Sequence, residues 1–266
     1  MSKLLYIYLK RVIIMAIAKE KVVLITGALS DIGRATAQAF AKAGYSVALN
    51  HRSKADDAAR FADFLEDEYG APQVLPIQAD IRMRSEVAAM FEQIYAHFGR
   101  LDVLINNAGI NRDNTFLEMT DEEWETVTAT VLKGTFICSQ EFALRYTGTS
   151  GSIINFGATT AITGRKNGAN YCPARAGVLT LTKCMALELA PNIRVNTVTP
   201  GRIDTEEVRL RYHTDDPETR KSFERDVPLQ RMGEPADVAS MIMYLVESGQ
   251  YITGQNMIVD GGLLMR

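Results

Sequence analysis

Short apolar runs alternate with longer amphipathic stretches from Lys21 to the end of the chain. The runs are rich in β-branched residues and are not interrupted by polar ones, which is typical of strands buried on both faces of a sheet. They predict seven strands, at residues 22–26, 46–50, 74–78, 103–106, 152–156, 195–198 and 257–259. The intervening stretches predict helices at residues 34–43, 56–69, 86–98, 121–146, 171–189 and 236–246.

This alternation predicts an α/β protein, a doubly wound Rossmann-type parallel sheet with helices on both faces. Gly44, Gly70 and Gly99 each follow a predicted helix, at a place where a helix cap favours a positive φ. We expect one domain over residues 21–266, because neither a composition shift nor a repeat marks a second one. Residues 204–227 are charged and lack a strand pattern, so we expect a substrate-binding loop there.

The composition excludes several classes of protein. Of the 266 residues 47% are hydrophobic and 23% are charged, as in ordinary globular proteins. The formal charge of −3 gives no basic footprint for nucleic acid, so we expect no nucleic-acid partner. The three cysteines form no CxxC pair and the three histidines lie far apart, which predicts free thiols, a cytoplasmic location and no metal site.

Residues 1–18 are largely apolar but are interrupted by Lys10 and Arg11. Neither half approaches the roughly 20 apolar residues that a membrane-spanning helix needs, and the pattern does not fit a secretory signal. We therefore interpret residues 1–20 as an N-terminal extension without stable membrane insertion, in which Met15 is an alternative start. An interfacial helix or a subunit contact is the other interpretation of this segment.

The first predicted strand ends in a turn that carries two glycines, Gly27 and Gly33, and leads into the first helix. Backbone N–H groups in such a turn, together with the helix N-terminus, bind pyrophosphate. Asp31 would bring a carboxylate close to that pyrophosphate. We expect it to face away and cap the helix, with Arg34 offsetting its charge.

Ordered motifs over residues 21–263 resemble the short-chain dehydrogenase/reductase family. They are the glycine turn at 26–33, Asp80 at the end of the third strand, Asn106-Asn107-Ala108-Gly109, Pro200-Gly201-Arg202-Ile203-Asp204-Thr205, and Thr253-Gly254-Gln255 with Val259-Asp260-Gly261-Gly262. The middle glycine of the family's turn is Asp31 here. The resemblance implies a small-molecule substrate and a homotetramer, and we expect the strand order 3-2-1-4-5-6-7.

The resemblance also implies a nicotinamide cofactor. Its predicted site comprises Gly27, Ser30, Asp31, Ile32, Gly33, Asn50, Arg52, Ser53, Asp80, Ile81, Asn107, Ala108, Gly109, Tyr171, Arg175, Pro200, Gly201, Ile203 and Thr205. Enzymes of this architecture that use NAD carry an acid after the second strand, and this chain has Arg52 and Ser53 there. A guanidinium and a hydroxyl suit a 2′-phosphate, so NADP(H) is preferred. NAD(H) stays possible because Asn50 can hydrogen-bond a ribose.

Of the four residues that carry the family's chemistry, only the tyrosine matches, as Tyr171. The lysine position four residues later is Arg175, the serine position thirteen residues earlier is Ala158, and the asparagine position is Val131. A nearby cation helps a phenol, whose ordinary pKa is about 10, to ionise near neutrality. Arg175 supplies that charge but cannot exchange protons.

The missing hydroxyl at Ala158 removes a donor to the substrate oxygen, a loss that typically costs on the order of 10²–10³ in rate. Thr159 is the candidate replacement, although a shift of one residue along a strand turns the side chain to the other face. We therefore predict a weak or rewired NADP(H)-dependent oxidoreductase acting on a carbonyl/alcohol pair, with catalytic residues Tyr171, Arg175 and Thr159. The alternatives are a cofactor-binding protein or partner subunit without turnover, and a non-redox enzyme that uses the same pocket.

Overall fold

Seven parallel strands form one sheet within residues 20–265, the part of the chain that the computed structural model describes. The strands are β1 (Val22–Ile25), β2 (Ser46–His51), β3 (Val74–Gln78), β4 (Val103–Asn106), β5 (Gly151–Phe156), β6 (Ile193–Pro200) and β7 (Asn256–Val259). Their order is β3-β2-β1-β4-β5-β6-β7, which confirms the predicted topology. The predicted extension lies outside the described residues, apart from Glu20.

Helices cover both faces of this sheet. They are α1 (Asp31–Lys42), α2 (Ala55–Tyr69), α3 (Arg84–Phe98), α4 (Asp121–Thr128), α5 (Gly134–Arg145), α6 (Thr160–Thr163), α7 (Tyr171–Leu189), α8 (Glu206–Tyr212), α9 (Pro217–Arg225) and α10 (Pro235–Met243). A short 3₁₀ turn, Leu263–Met265, follows β7. None of the described helices is long and apolar enough to cross a membrane.

Strands β1 to β6 contribute side chains to two hydrophobic cores, one on each face of the sheet, whereas β7 contributes to one of them. Val23 on β1 packs in the core that contains Phe40 of α1, whereas Leu24, the next residue, packs in the core that contains Phe91 of α3. Successive side chains of a strand point to opposite faces, so a strand buried on both sides must be apolar throughout. This explains the uninterrupted apolar runs in the sequence.

Two predicted elements differ in the structure. The single helix expected at 121–146 is interrupted by a π-helical turn, Ala129–Lys133, between α4 and α5. The segment 204–227, expected to be a substrate-binding loop, contains the helices α8 and α9, and we call it the substrate lid after that expectation. Each of these helices has an N-cap side chain, because Thr205 accepts from Val208 N and Asp216 accepts from Thr219 N.

The glycine caps are as predicted, with φ of +81° at Gly44, +67° at Gly70 and +73° at Gly99. These turns return the chain to the next strand in the same direction each time. As a result, the carboxyl ends of all seven strands lie at one edge of the sheet. The predicted site residues follow these strand ends, and ligands of open parallel sheets bind at this edge.

Candidate functional site

The glycine turn after β1 is packed too closely for larger residues. Gly27 has a φ of +60°, and an added Cβ atom there would lie 2.9 Å from the Cα of Ala108. At Gly33 an added Cβ atom would lie 2.7 Å from the Gly27 carbonyl oxygen. The start of α1 therefore lies directly against the turn, which is the arrangement that exposes backbone N–H groups to a phosphate.

Two buried asparagines hold this turn in place. The Asn107 side-chain nitrogen donates to the carbonyls of Thr26 and Gly27 and to the Ser30 hydroxyl, at 2.9, 2.9 and 3.1 Å. The Asn50 side-chain oxygen accepts from Gly27 N at 3.3 Å, and its nitrogen donates to the Ala79 carbonyl at 3.0 Å. Both side chains thus face the turn and its neighbouring strands, and they support its shape.

Asp31 occupies the first position of α1, but the helix cap is Ser30. The predicted capping role of Asp31 is therefore wrong. Its carboxylate instead accepts a hydrogen bond from the backbone N–H of Glu206, at 2.6 Å, and so connects the turn to the substrate lid. Within residues 20–265 Arg34 forms no ion pair with Asp31, and its guanidinium donates to the Leu29 carbonyl.

The predicted 2′-phosphate residues lie in the exposed loop after β2. Within residues 20–265 the Arg52 side chain makes no hydrogen bond or ion pair, so its guanidinium is available to an anion. Asp80, which follows β3, is paired with Arg82, and hydrogen bonds from that guanidinium hold the pKa of the carboxyl below its usual value. Ile81 is buried and faces Gly134 of α5.

Tyr171 and Arg175 lie one turn apart on α7 and contact each other. Arg175 Nε donates to the Tyr171 hydroxyl oxygen at 3.2 Å, and Nη1 donates to the Phe156 carbonyl at the end of β5, at 2.8 Å. Arg175 is only 6% exposed. Its other terminal nitrogen lies against Gly109, where an added Cβ atom would be 2.4 Å away. Arg175, which stands where the family has lysine, thus contacts both Tyr171 and the end of β5.

A second guanidinium, that of Arg165, lies near Tyr171. The Cζ atoms of Arg165 and Arg175 are each 5.3 Å from the centre of the tyrosine ring. Arg165 is held by Asp113 and by Asn111, both in the loop between β4 and α4. The sequence analysis missed Arg165 and Asp113, because they match no motif and meet only through the fold.

Two of the three altered family positions, 158 and 131, hold apolar side chains. Ala158 is 9% exposed, just after β5. Val131 lies in the π-helical turn and is fully buried against Val127, Ala174 and Val178. The site therefore has no side-chain hydroxyl at position 158 and no polar side chain at position 131 to hold a water.

Thr159 lies in a different setting from the one predicted. Strand β5 ends at Phe156, and Thr159 already has helical dihedral angles as the residue before α6. The strand-alternation argument against this hydroxyl is wrong, because the strand has ended by that point. No hydrogen bond from the Thr159 hydroxyl occurs in the part of the chain that the structure describes, so a substrate oxygen could accept one.

The predicted residues after β6 form the far wall of the site. Gly201 packs against Asp260, and an added Cβ atom would lie 2.6 Å from the Asp260 Cα. Pro200 ends β6, and Ile203 is buried. The Thr205 hydroxyl caps α8. Thus the same segment ends the sheet and begins the substrate lid.

An open pocket of about 490 Å³ lies beside the segment that precedes α7. Its lining includes Phe116, Arg165, Lys166, Cys172 and Pro173. Apolar and basic side chains therefore meet in this pocket, and one of them, Arg165, also lies over the Tyr171 ring. Within residues 20–265 no three His, Cys, Asp or Glu side chains are placed to hold a metal ion.

Comparisons with known proteins agree with this geometry. A family model described as enoyl-(acyl carrier protein) reductase matches residues 27–264. The chain is 38% identical to a 3-oxoacyl-[acyl-carrier-protein] reductase of Staphylococcus aureus over 252 residues, which are 92% of this chain and 98% of that protein. It is 36% identical to an acetoacetyl-CoA reductase of an Acinetobacter species over 252 residues, 93% of this chain and 99% of that protein.

Solved structures of related proteins have the same fold as this chain. A blue fluorescent protein from a metagenomic library, in complex with NADPH, superposes with a TM-score of 0.84 at 29% identity, covering 91% of this chain and 97% of that one. A short-chain dehydrogenase/reductase described as putative, from Burkholderia xenovorans, gives 0.83 at 31% identity, covering 94% and 100%. The chain belongs to the short-chain dehydrogenase/reductase family of oxidoreductases.

Proposed function

We propose that this protein is an NADP(H)-dependent reductase that converts a carbonyl compound to an alcohol, at a rate limited by its altered proton-transfer groups. The observation that carries the proposal is the contact between Tyr171 and Arg175 at the sheet edge where the glycine turn also lies. Proton donor and phosphate-binding turn are thus parts of one site.

The residues present fit a dinucleotide with a 2′-phosphate. Gly27 leaves no room for a Cβ atom beside Ala108, which keeps the backbone of the turn open to a pyrophosphate. Among the described residues the Arg52 guanidinium makes no hydrogen bond or ion pair and only a longer-range charge interaction with Asp80, and Ser53 adds a hydroxyl next to it in sequence. When bound, NADPH supplies the hydride for the reduction. NADH is the second candidate, since the backbone of the turn would hold either pyrophosphate.

In this proposal Tyr171 donates a proton to the substrate oxygen. Because its own oxygen accepts from Arg175 Nε, the hydroxyl hydrogen is left for another acceptor. Arg175 orients the phenol and places positive charge beside it, but it cannot pass a proton onward. Because Val131 is buried in an apolar cluster, its side chain offers no polar atom to hold a water behind the tyrosine.

Stabilisation of the developing oxyanion is also reduced. Ala158 offers no donor, and Thr159 is the nearest hydroxyl at the end of β5. We therefore expect turnover below the ordinary range of about 1–10³ s⁻¹. The loss of one oxyanion donor accounts for on the order of 10²–10³ of the deficit.

The named relatives suggest the substrate class. Those relatives are named as reductases of 3-oxoacyl-[acyl-carrier-protein] and of acetoacetyl-CoA, and the pocket that shares Arg165 with the Tyr171 ring combines the apolar Phe116 and Pro173 with the basic Arg165 and Lys166. An acyl chain carried by an anionic group fits both kinds of lining. We therefore take acetoacetyl-CoA as the test substrate.

The test mixes the protein with NADPH and acetoacetyl-CoA and follows absorbance at 340 nm. We expect slow, substrate-dependent loss of NADPH that disappears in Tyr171→Phe, a variant that keeps the ring and removes only the hydroxyl. NADPH binding in both proteins, measured by fluorescence titration, shows that the cofactor site is intact. Binding without oxidation in wild type would contradict the proposal and favour a cofactor-binding protein or a non-redox enzyme.

We further expect a cytoplasmic homotetramer that binds no nucleic acid. We expect the helices at 121–146 and 171–189 and the last strand to make the subunit contacts. The first of these segments exposes Trp124 and Phe136, which are 43% and 40% accessible. An open groove of about 590 Å³ runs between α4, α5 and α7 beside them. Light scattering should give about four times the mass of the 29.4 kDa chain, and a monomer would contradict this expectation.

A further inference from the structure

Five polar side chains from three separate segments form a closed ring of contacts beside Tyr171. We call them the docking ring; they are Asn111, Asp113, Arg165, Glu207 and Arg211. The first two lie in the loop between β4 and α4, the third precedes α7, and the last two lie on α8 of the substrate lid. The ring therefore joins the lid to the segment that carries the tyrosine.

The contacts of the ring run without a gap. Arg165 Nη2 donates to Asp113 Oδ1 at 2.7 Å and to Asn111 Oδ1 at 3.1 Å, and Nη1 pairs with Asp113 Oδ2. Arg211 Nη1 lies 3.2 Å from the same Asp113 oxygen, and Nη2 pairs with Glu207 Oε1 at 2.5 Å. Asn111 Nδ2 donates to that glutamate oxygen at 3.3 Å and closes the ring.

Two features separate this ring from an ordinary surface ion pair. Its two guanidinium groups are balanced by its two carboxylates, and the Arg165 side chain is only 15% exposed. Burial disfavours the charge on Arg165, but the hydrogen bond and the charge of Asp113 outweigh that effect, so the pKa of the guanidinium is raised. Networks with bidentate arginine geometry fix orientation better than isolated exposed pairs.

Asp113 is the member that couples the two sides. One carboxylate holds both Arg165, whose Cζ lies 5.3 Å from the centre of the Tyr171 ring, and Arg211 of the lid. If α8 moves away, Asp113 loses one of its two cationic partners, and the carboxylate that fixes Arg165 is free to shift. The placement of the tyrosine then depends on whether the lid is docked.

We propose that Asp113 and Arg165 are positioning residues that transmit docking of the substrate lid to Tyr171. The inference rests on the reductase function proposed above, in which Tyr171 donates the proton. It predicts that the lid and residues 164–171 loosen together, although they are far apart in the sequence. It also predicts that breaking the ring changes the KM for the substrate and kcat, and leaves the Kd for NADPH unchanged.

The first experiment is a kinetic double-mutant cycle with acetoacetyl-CoA and NADPH. Asp113→Asn should raise KM and lower kcat, so that kcat/KM falls about tenfold, because the change removes charged hydrogen bonds. Arg211→Gln should do the same in part, and the double variant should lose little more than Asp113→Asn alone. Asp113→Glu should recover part of the activity. Asp57→Asn, which removes the carboxylate that pairs with Arg60 on α2, is the matched control and should be unchanged.

The second experiment needs no turnover. Hydrogen–deuterium exchange is compared for wild type, Arg211→Gln and Asp57→Asn. Arg211→Gln changes only a lid residue, so faster exchange in both 206–212 and 164–171 is the expected sign of coupling. NADPH titration of each variant shows that the fold and the cofactor site are kept.

The outcomes separate this inference from the proposed function. Faster exchange confined to the lid in Arg211→Gln, or additive losses in the double-mutant cycle, would overturn the coupling. If wild type binds NADPH but does not reduce acetoacetyl-CoA, the proposed reductase function is wrong. The part of the inference in which Tyr171 donates a proton is then wrong too. The exchange experiment would then still decide whether lid docking and residues 164–171 are coupled.

Discussion

Arg175 Nε donates a hydrogen bond to the Tyr171 hydroxyl oxygen across 3.2 Å, while the same guanidinium donates to the Phe156 carbonyl. The rigid fork of the arginine thus ties the tyrosine on α7 to the end of β5. A lysine ends in one nitrogen and lacks this fork. Compared with the family's lysine, Arg175 therefore keeps a cation beside the phenol and fixes the orientation of the ring, but it cannot exchange protons.

Gly109 makes room for this arrangement, which gives a direct test. In Gly109→Ala the new Cβ atom would collide with Arg175 Nη2, so the guanidinium must shift, and we expect its bond to Tyr171 to lengthen. We expect kcat for acetoacetyl-CoA reduction to fall about tenfold, the cost of one charged hydrogen bond.

The control for Gly109→Ala is the same change in an Arg175→Met background. If the alanine acts by displacing Arg175, it should cost little there, and the two effects should not add. Equal losses in both backgrounds would show that Gly109 acts in another way, for example through the backbone of the loop.

Restoring a hydroxyl after β5 should increase activity. Ala158→Ser adds a donor at a nearly buried position just after β5, where the resemblance places the serine that binds the substrate oxygen, and such donors are worth on the order of 10²–10³ in rate. The gain should appear in kcat, measured with acetoacetyl-CoA and NADPH. Ala158→Cys, which has a similar size and a weak donor, is the matched control and should gain much less. An unchanged kcat in the serine variant would mean that Thr159 already supplies the hydrogen bond.

The sheet could be predicted from the sequence because its strands are buried on both faces and therefore form continuous apolar runs. The lid helices α8 and α9 were missed for the opposite reason. Neither helix has a fully buried residue, so the lid lacks the apolar stripe that indicates a helix. Asp216 followed by Pro217 is a capping signal, and it was the available indication that α9 begins there.

The candidate site was only partly predictable for a different reason. Tyr171 and Arg175 are four residues apart, so helical spacing alone predicts that they meet. The contact between Asp113 and Arg165 joins positions 52 residues apart in sequence and exists only because two loops follow adjacent strands. The role of Asp31 likewise depends on the lid folding back over the glycine turn.

Val131 should resist conversion to the family's asparagine. Its side chain is fully buried among Val127, Ala174 and Val178, none of whose side chains can form a hydrogen bond. Val131→Asn should lower the free energy of unfolding by about 1–3 kcal/mol, the cost of an unsatisfied buried amide. Urea denaturation followed by circular dichroism measures this difference.

Val131→Thr is the matched control for the asparagine. In this helix the Thr135 hydroxyl donates to the Val131 carbonyl, four residues earlier, and a threonine at 131 could bond in the same way. It should therefore cost less than the asparagine. If Val131→Asn is as stable as wild type, water reaches the cluster and the position can support a proton relay.

Arg52 should decide between the two nicotinamide cofactors. Arg52→Ala removes the guanidinium proposed to bind the 2′-phosphate, and the Kd for NADPH should rise about 10- to 100-fold, while the Kd for NADH stays nearly constant. Fluorescence titration measures both. Arg60→Ala removes an exposed arginine on α2 that pairs with Asp57 and should affect neither cofactor. Equal losses of both cofactors in Arg52→Ala would show that the residue does not recognise the phosphate.

Asp204, at the start of the substrate lid, should make stability depend on pH. Burial alone would raise the pKa of its carboxyl, but hydrogen bonds and charge from Arg209 and Arg220, each 2.8 Å away, hold that pKa below the ordinary value. A carboxyl whose pKa is lowered by folding stabilises the protein above its unfolded pKa of about 3.9, and the contribution is lost as pH falls through the folded value.

Wild type should therefore exceed Asp204→Asn in free energy of unfolding at pH 7 and pH 5. The difference should shrink below about pH 4, as the carboxyl of wild type takes up a proton. Urea denaturation at pH 7, 5, 3.5 and 2.5 measures it. Asp226→Asn is the matched control, because Asp226 meets Arg202 at the surface with its side chain 58% exposed, and it should cost less at pH 7. A difference between wild type and Asp204→Asn that stays constant down to pH 2.5 would show that the shape of the side chain, and not its charge, holds the lid.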